Sequence, residues 1–241
     1  MSTERTKPTV ALFPLQNVVQ FPTAPFTFHI YEPRYRTMFA DCVAQHIPIA
    51  VVLCEPRAQH SAPQQAQDAM QDNIMAFPSD GDEYPSLIPH DVGTMLNIES
   101  HFVNDDGRVL IQGTGGARIH VTGIIQRSPY LRAEWVALPE RPSNANTAAR
   151  HAFTFVYERY LHALRSVGDK QRQRILWSDD DEVLSWQIAH AFQLAPGIKQ
   201  MLLTMSTNAR MRTLIRLLRA ELRTFPHGEA PAERVPPWSW N

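Results

Sequence analysis

The chain has 241 residues and 44% apolar content, enough for a sizeable core and for one or two domains. Lys plus Arg (23) nearly balances Asp plus Glu (24), which excludes a bulk electrostatic attraction to nucleic acid or to an anionic membrane. No apolar run reaches the roughly 18 residues of a spanning helix, and MSTERTKPTV lacks a signal-peptide core, so neither a membrane partner nor secretion by a standard signal is expected. The two cysteines, Cys42 and Cys54, lie in apolar surroundings and form no framework, which points to a reduced, cytoplasmic protein.

In chain order, residues 10–54 read as short strands interrupted by prolines. VALFPL and PFTFHI carry the aromatic and β-branched residues of a half-buried sheet. Pro14, Pro22, Pro25 and Pro33 cannot donate to a ladder, so short, bulged or edge strands are expected. IPIAVVLC (47–54) is continuously apolar, as in a strand buried on both faces. Between them, the Pro33 that follows FHIYE suits the first turn of a helix. Glu32 is placed to favour the positive end of that helix, and Tyr35, Met38, Phe39 and Val43 give it an apolar stripe. HIYEPRY is therefore a strand-to-helix corner, with its Glu and Arg residues pairing to fix the turn rather than to catalyse.

Residues 55–90, rich in Gln, Ala, Asp, Pro and Ser, read as a long surface loop. Strand signals return with VGTMLNIESHFV and RVLIQGTGGARIHVTGII, joined by NDDG, whose Asp106–Gly107 is a strong hairpin-turn signal. PYLRAEWVAL (129–138) is a further strand, and PERPSNANT (139–147) ends the β-rich part. Helical spacing follows in Ala152, Phe153, Val156, Tyr160, Leu161 and Leu164, then in DDDEVLSWQIAHAF and APGIKQMLLTM, with Pro196 in a first turn. In STNARMRTLIRLLRAEL, Met211, Leu214, Ile215, Leu218 and Leu222 form one stripe, with Ser206 or Thr207 as N-cap. The expected organisation is a β-rich subdomain over 1–140, a helical subdomain over 141–224 and an irregular tail over 225–241.

Catalytic signatures are absent from the sequence. There is no P-loop, H-E-x-x-H, C-x-x-C or G-x-S-x-G, and the three lysines (Lys7, Lys170, Lys199) offer no Ser–Lys dyad in a suitable turn. GTGGAR (113–118) lies inside a strand-like run, which favours a bulge or close backbone packing over phosphate binding. The His residues are scattered singly; His151 and His162 fall on one helix face without an acidic or Cys partner for zinc. No enzyme activity, metal or cofactor is expected. Arg212, Arg216, Arg219 and Arg223 continue down one face of the last helix. That row reads as a solvated face, or as a docking strip for an acidic partner or nucleic acid.

LFPLQNVVQFP (12–22), HIYEPRY (29–35), PIAVVL (48–53), VGT (92–94), the hairpin from Asp106 to Arg118, PYLRAEW (129–135) and LAPGIKQMLLTMSTNARMRTLIRLL occur in an order and spacing that resemble the Lon protease N-terminal (substrate-binding) domain family. The similarity covers about residues 10–222 and suggests a stand-alone member, ending where the ATPase and protease domains would follow. It implies an α+β fold, a PUA-like β-pseudobarrel followed by an α-helical bundle. It also implies a non-catalytic polypeptide-binding module, whose partners are unfolded or degron-bearing polypeptides and, beyond them, a protease or chaperone. An RNA-binding protein on a PUA-like fold is the alternative, disfavoured by the charge balance. The resemblance brings the 28–36 corner and the 106–119 hairpin into one domain, so Arg34, Tyr35 and Arg118 are the expected lining of a binding site there; the other reading has them pack the barrel rim. Two departures are the long 55–90 segment and Ile119, where an aromatic is common and a groove wall would be reshaped.

Overall fold

In strands β1 (Thr9–Leu15) and β3 (Ile49–Pro56), residues 10–15 and 49–54 are apolar and buried on both faces. The computed structural model describes residues 8–56, 87–140, 147–166 and 178–225. Ala11, Phe13, Leu15, Ile49 and Val51 enter one core cluster, while Val10, Leu12, Ala50, Val52 and Cys54 enter a second. The parallel pairing of β1 with β3 requires a crossover, supplied by β2 (Pro25–Ile30) and helix α1 (Pro33–Gln45). Strands β4 (Leu87–Val103), β5 (Val109–Gln126) and β6 (Arg132–Ala137) complete the sheet in the order β2-β5-β4-β3-β1-β6, and β6 returns to pair with β5. That last pairing closes a ring of five strands, β5-β4-β3-β1-β6, with β2 lying beside the first half of β5.

Contrary to expectation, Pro14 sits in an interior strand. The N–H of Ala11 points to β3 (Pro48 O, 2.9 Å) and that of Leu12 to the other side (Leu131 O, 2.9 Å). By alternation the Pro14 nitrogen faces the β6 side, but β6 pairs only with Thr9–Ala11, so no ladder bond is missing. The apolar stripe of α1 is Tyr35, Met38, Phe39 and Cys42, and Val43, expected to be part of it, is 53% exposed. Residues 55–56 and 87–90, expected in a loop, extend β3 and β4; residues 57–86 lie outside the described residues.

Compactness divides the chain into two units. The first comprises residues 1–140 together with 193–204, so helix α4 (Pro196–Thr204) belongs with the barrel, where Gln200 Nε2 donates to Val92 O at 2.8 Å. The second unit, 141–192 with 205–241, contains α2 (Thr147–Ser166), α3 (Asp181–Ala191) and α5 (Thr207–Leu222). Asp180 caps α3 by accepting from the N–H of Glu182 (2.7 Å) and Val183 (3.4 Å). The expected tail falls, from residue 226 on, outside the described residues. Arg210 is fully buried in this unit, its guanidinium 3.1 Å from the Trp186 ring centre, with bonds to Ser185 Oγ (2.8 Å), Met205 O (2.8 Å) and Thr207 Oγ1 (3.1 Å). Met205 closes the turn before α5, so Arg210 ties α3, that turn and α5 together.

GTGGAR lies within β5, as close backbone packing demands. A Cβ on Gly115 would stand 2.0 Å from Phe21 O, and one on Gly113 would stand 2.0 Å from Asn97 O. Neither neighbour is a side chain that can swing away. Gly115→Ala is therefore expected to lower stability by on the order of 1–3 kcal/mol, the range for overpacking, in denaturant melts of the purified protein.

Candidate functional site

The three residues expected to line a site do not share a surface. Arg118 is 6% exposed; its guanidinium donates to Leu203 O (2.7 Å) and pairs with the part-buried Glu140 (2.7 Å). It joins β5 to the end of α4 and to the chain leaving β6. Tyr35 is 2% exposed and packs edge-to-face on Phe13 at 4.9 Å, inside the core. Arg34 lies over the Tyr35 ring at 4.8 Å and pairs with Glu32. Arg34 and Tyr35 thus meet at the corner, while Arg118 joins β5 to α4 and to the chain after β6. Ile119 likewise lies in the barrel core and walls no groove.

Glu32 holds the corner through its backbone. Its carbonyl accepts from the N–H of Tyr35 (3.1 Å) and Arg36 (3.0 Å), while its carboxylate makes no cap bond and sits 2.6 Å from Arg34. Burial raises the Glu32 carboxyl above its ordinary 4.5, against the opposing pull of Arg34. The buried thiols of Cys42 and Cys54 are pushed up to about 12, which leaves neither as a thiolate nucleophile at neutral pH. No group of three or more potential metal ligands occurs among the described residues.

The exposed candidate lies on the hairpin. Its turn closes with Gly107 N–H to Asn104 O (2.9 Å) and φ +76° at Gly107, as Asp106–Gly107 foretold. In register, His29 lies opposite Leu110 and Leu110 opposite Phe102, so these three side chains share one face of β2-β5-β4. The other face, carrying Ile30, Val109 and Ile111, is packed against α1: Phe39 meets His101 at 5.2 Å, and Arg36 donates to Asp106 O at 3.2 Å. The outer row has no such cover among the described residues. Phe102 is 63% exposed and Tyr31 54%. Tyr31 stacks on His29 (5.8 Å, 8°), and Arg108, held by Asp106 at 3.2 Å, lies 5.2 Å from the Tyr31 ring centre. Beyond Met95, β4 has β5 on one side and, among the described residues, no strand on the other. An apolar row and an open strand edge therefore adjoin. Tyr31 and Phe102 stand in the sequence as ordinary strand residues; only the register shows that they face outward.

Among the described residues, the barrel unit thus presents an apolar face without cover beside a strand edge. The sequence model of the ATP-dependent protease La (LON) substrate-binding domain matches residues 9–220, and the chain belongs to that family. Two solved structures share the fold. The Lon N-terminal domain protein from Xanthomonas campestris has a TM-score of 0.58 at 20% identity, covering 86% of this chain and 97% of that one. The N-terminal domain of the Mycobacterium avium complex Lon protease has a TM-score of 0.56 at 14% identity, covering 88% and 98%. No curated protein matches. The α+β fold inferred from the sequence is thus shown.

Arg118→Ala would remove both the bond to Leu203 O and the pair with Glu140, so a loss of about 1–3 kcal/mol is expected in denaturant unfolding. For Glu32 the native state holds the proton more tightly than the unfolded chain. The stability this gives at low pH is lost as pH rises from 4.5 through the raised value. Wild type should accordingly lose stability relative to Glu32→Gln as pH is raised from below 4.5 to neutral; a constant difference across melts in that range would contradict it.

Proposed function

We propose that this protein is a non-catalytic module that captures unfolded or degron-bearing polypeptides on the outer face of the β2-β5-β4 hairpin. Family membership supports the binding of protein substrates. The observation that carries the location is the row of exposed Tyr31, His29 and Phe102 with half-buried Leu110 between them, beside the edge of β4 that no described strand covers. An extended segment adds itself to such an edge through main-chain hydrogen bonds, and its alternate side chains fall onto the adjoining apolar row. Backbone pairing is indifferent to sequence, and aromatic contact tolerates many apolar side chains, so the pair suits clients that share only exposed hydrophobic stretches. Arg34, Tyr35 and Arg118 then serve the site indirectly, by holding α1 and β5 in place. Delivery of the captured chain to a protease or chaperone is the role that follows.

The test is binding of a permanently unfolded, carboxymethylated protein, followed by fluorescence anisotropy. Phe102→Asp combined with Tyr31→Ala should weaken binding by about tenfold or more, the equivalent of about 1.4 kcal/mol, with the melting temperature unchanged. Added salt should change wild-type affinity little, because apolar contact and main-chain pairing dominate. Undiminished binding by the double variant would remove the hairpin face as the site.

A further inference from the structure

Helix α5 buries Met211, Leu214 and Leu218 and leaves Arg212, Arg216, Arg219 and Arg223 exposed. Arg223 keeps helical geometry (φ −77°, ψ −18°), so steps of four, three and four residues set all four on one side of the helix. At 1.5 Å of rise per residue the row is about 16 Å long. Among the described residues, none of the four comes within ion-pair distance of a carboxylate. The side-chain contact recorded in the row is Arg216 Nη2 to Thr213 Oγ1 at 3.1 Å. Elsewhere Arg34, Arg108 and Arg150 each hold a carboxylate.

Fold stability does not account for this row. Like charges at i, i+4 disfavour a helix. The helix dipole favours cations only in the last turn, which covers Arg219 and Arg223 but not Arg212 and Arg216. Core packing is served by the opposite face.

We infer that this arginine row is a docking strip for an acidic polypeptide segment, separate from the apolar capture surface on the barrel unit. Charge complementarity selects the occupant. Guanidinium forks pair bidentately with carboxylates, and a rigid helix presents four of them at fixed spacing. Single-stranded nucleic acid fits less well: it stacks its bases on aromatic side chains, and the exposed residues of α5 include none. The chain's net charge of −1 also lacks the basic field expected of a nucleic-acid binder. A structured acidic segment with Asp or Glu at matching helical intervals satisfies the whole row.

The experiment uses the full chain and a fluorescently labelled peptide carrying Glu at i, i+4, i+7 and i+11, measured by anisotropy at low and physiological salt. Saturable binding is expected, weakening steeply with salt. Arg216→Glu combined with Arg219→Glu should weaken it by about tenfold or more, each lost pair being exposed and each reversal adding repulsion. Replacement of all four by Lys should weaken it less than charge reversal but measurably, since Lys cannot form the bidentate fork. Far-UV circular dichroism should be the same in all variants, and carboxymethylated-protein binding should survive the charge reversal. The inference is overturned by absence of saturable binding at low salt or by undiminished binding of the charge-reversed variant. It is equally overturned if a single-stranded oligonucleotide of equal charge binds more tightly than the peptide, which would make the row a nucleic-acid surface.

Discussion

Two backbone segments pass over β5 at distances that admit no side chain: Phe21 beside Gly115 and Asn97 beside Gly113. Much of the barrel unit depends on that close passage. It brings the loop before β2 onto β5, where Thr23 N–H donates to Gly115 O (2.8 Å) and Gly115 N–H to Ala24 O (2.9 Å). It also fixes where β2 begins its pairing with β5, at Pro25 opposite Thr114. From there the register places Leu110 between His29 and Phe102, so the exposed row is a downstream result of two missing Cβ atoms. The register shift between Thr94 and Leu96 lies in the same stretch, where β4 and β5 bend out of the ring to become the projecting hairpin.

The arginines show how one residue type serves opposite ends. Arg118 and Arg210 are buried, and each joins segments distant in sequence: β5 to the chain after β6 and to α4, and α5 to α3. Their planar, multi-donor heads can satisfy several acceptors at once, which a lysine cannot do. Arg210 is only two residues from Arg212, yet one has no exposure and the other faces solvent. A helix turns about 200° over two residues, and that rotation separates a structural bolt from a surface charge.

That distinction marks the limit of what was legible in the sequence. Periodicity and turn chemistry revealed β3 as a doubly buried strand, the Asp106–Gly107 turn, the Pro33 helix start and the apolar stripe of α5, because each rests on local geometry, whereas β1, which reads as half-buried, is buried on both faces. Family resemblance supplied the order of the parts. Burial of individual polar residues was not legible, since Arg118 becomes a framework residue only when Glu140 and Leu203 arrive beside it. Tyr35 reads equally as groove lining or core until Phe13 is seen against its ring. The membership of α4 in the barrel unit rests on contacts such as Gln200 to Val92, 108 residues apart in sequence, and no local pattern encodes them. The exposure of Phe102 is illegible for the same reason: it is a property of three paired strands.

The hairpin's single-sided ladder has a consequence for the time scale on which its backbone opens. Amides of Ala11 and of Ala50–Val52 lie between strands on both sides and are sealed by two core clusters, so they exchange with solvent only through large-scale unfolding. Among the described residues, residues 96–103 of β4 have one neighbouring strand, β5. Their amides exchange through small local openings that leave the ring intact, on a far lower free-energy scale. An incoming strand would supply the second neighbour, so this readily opening segment is one whose protection factors rise when a client is held.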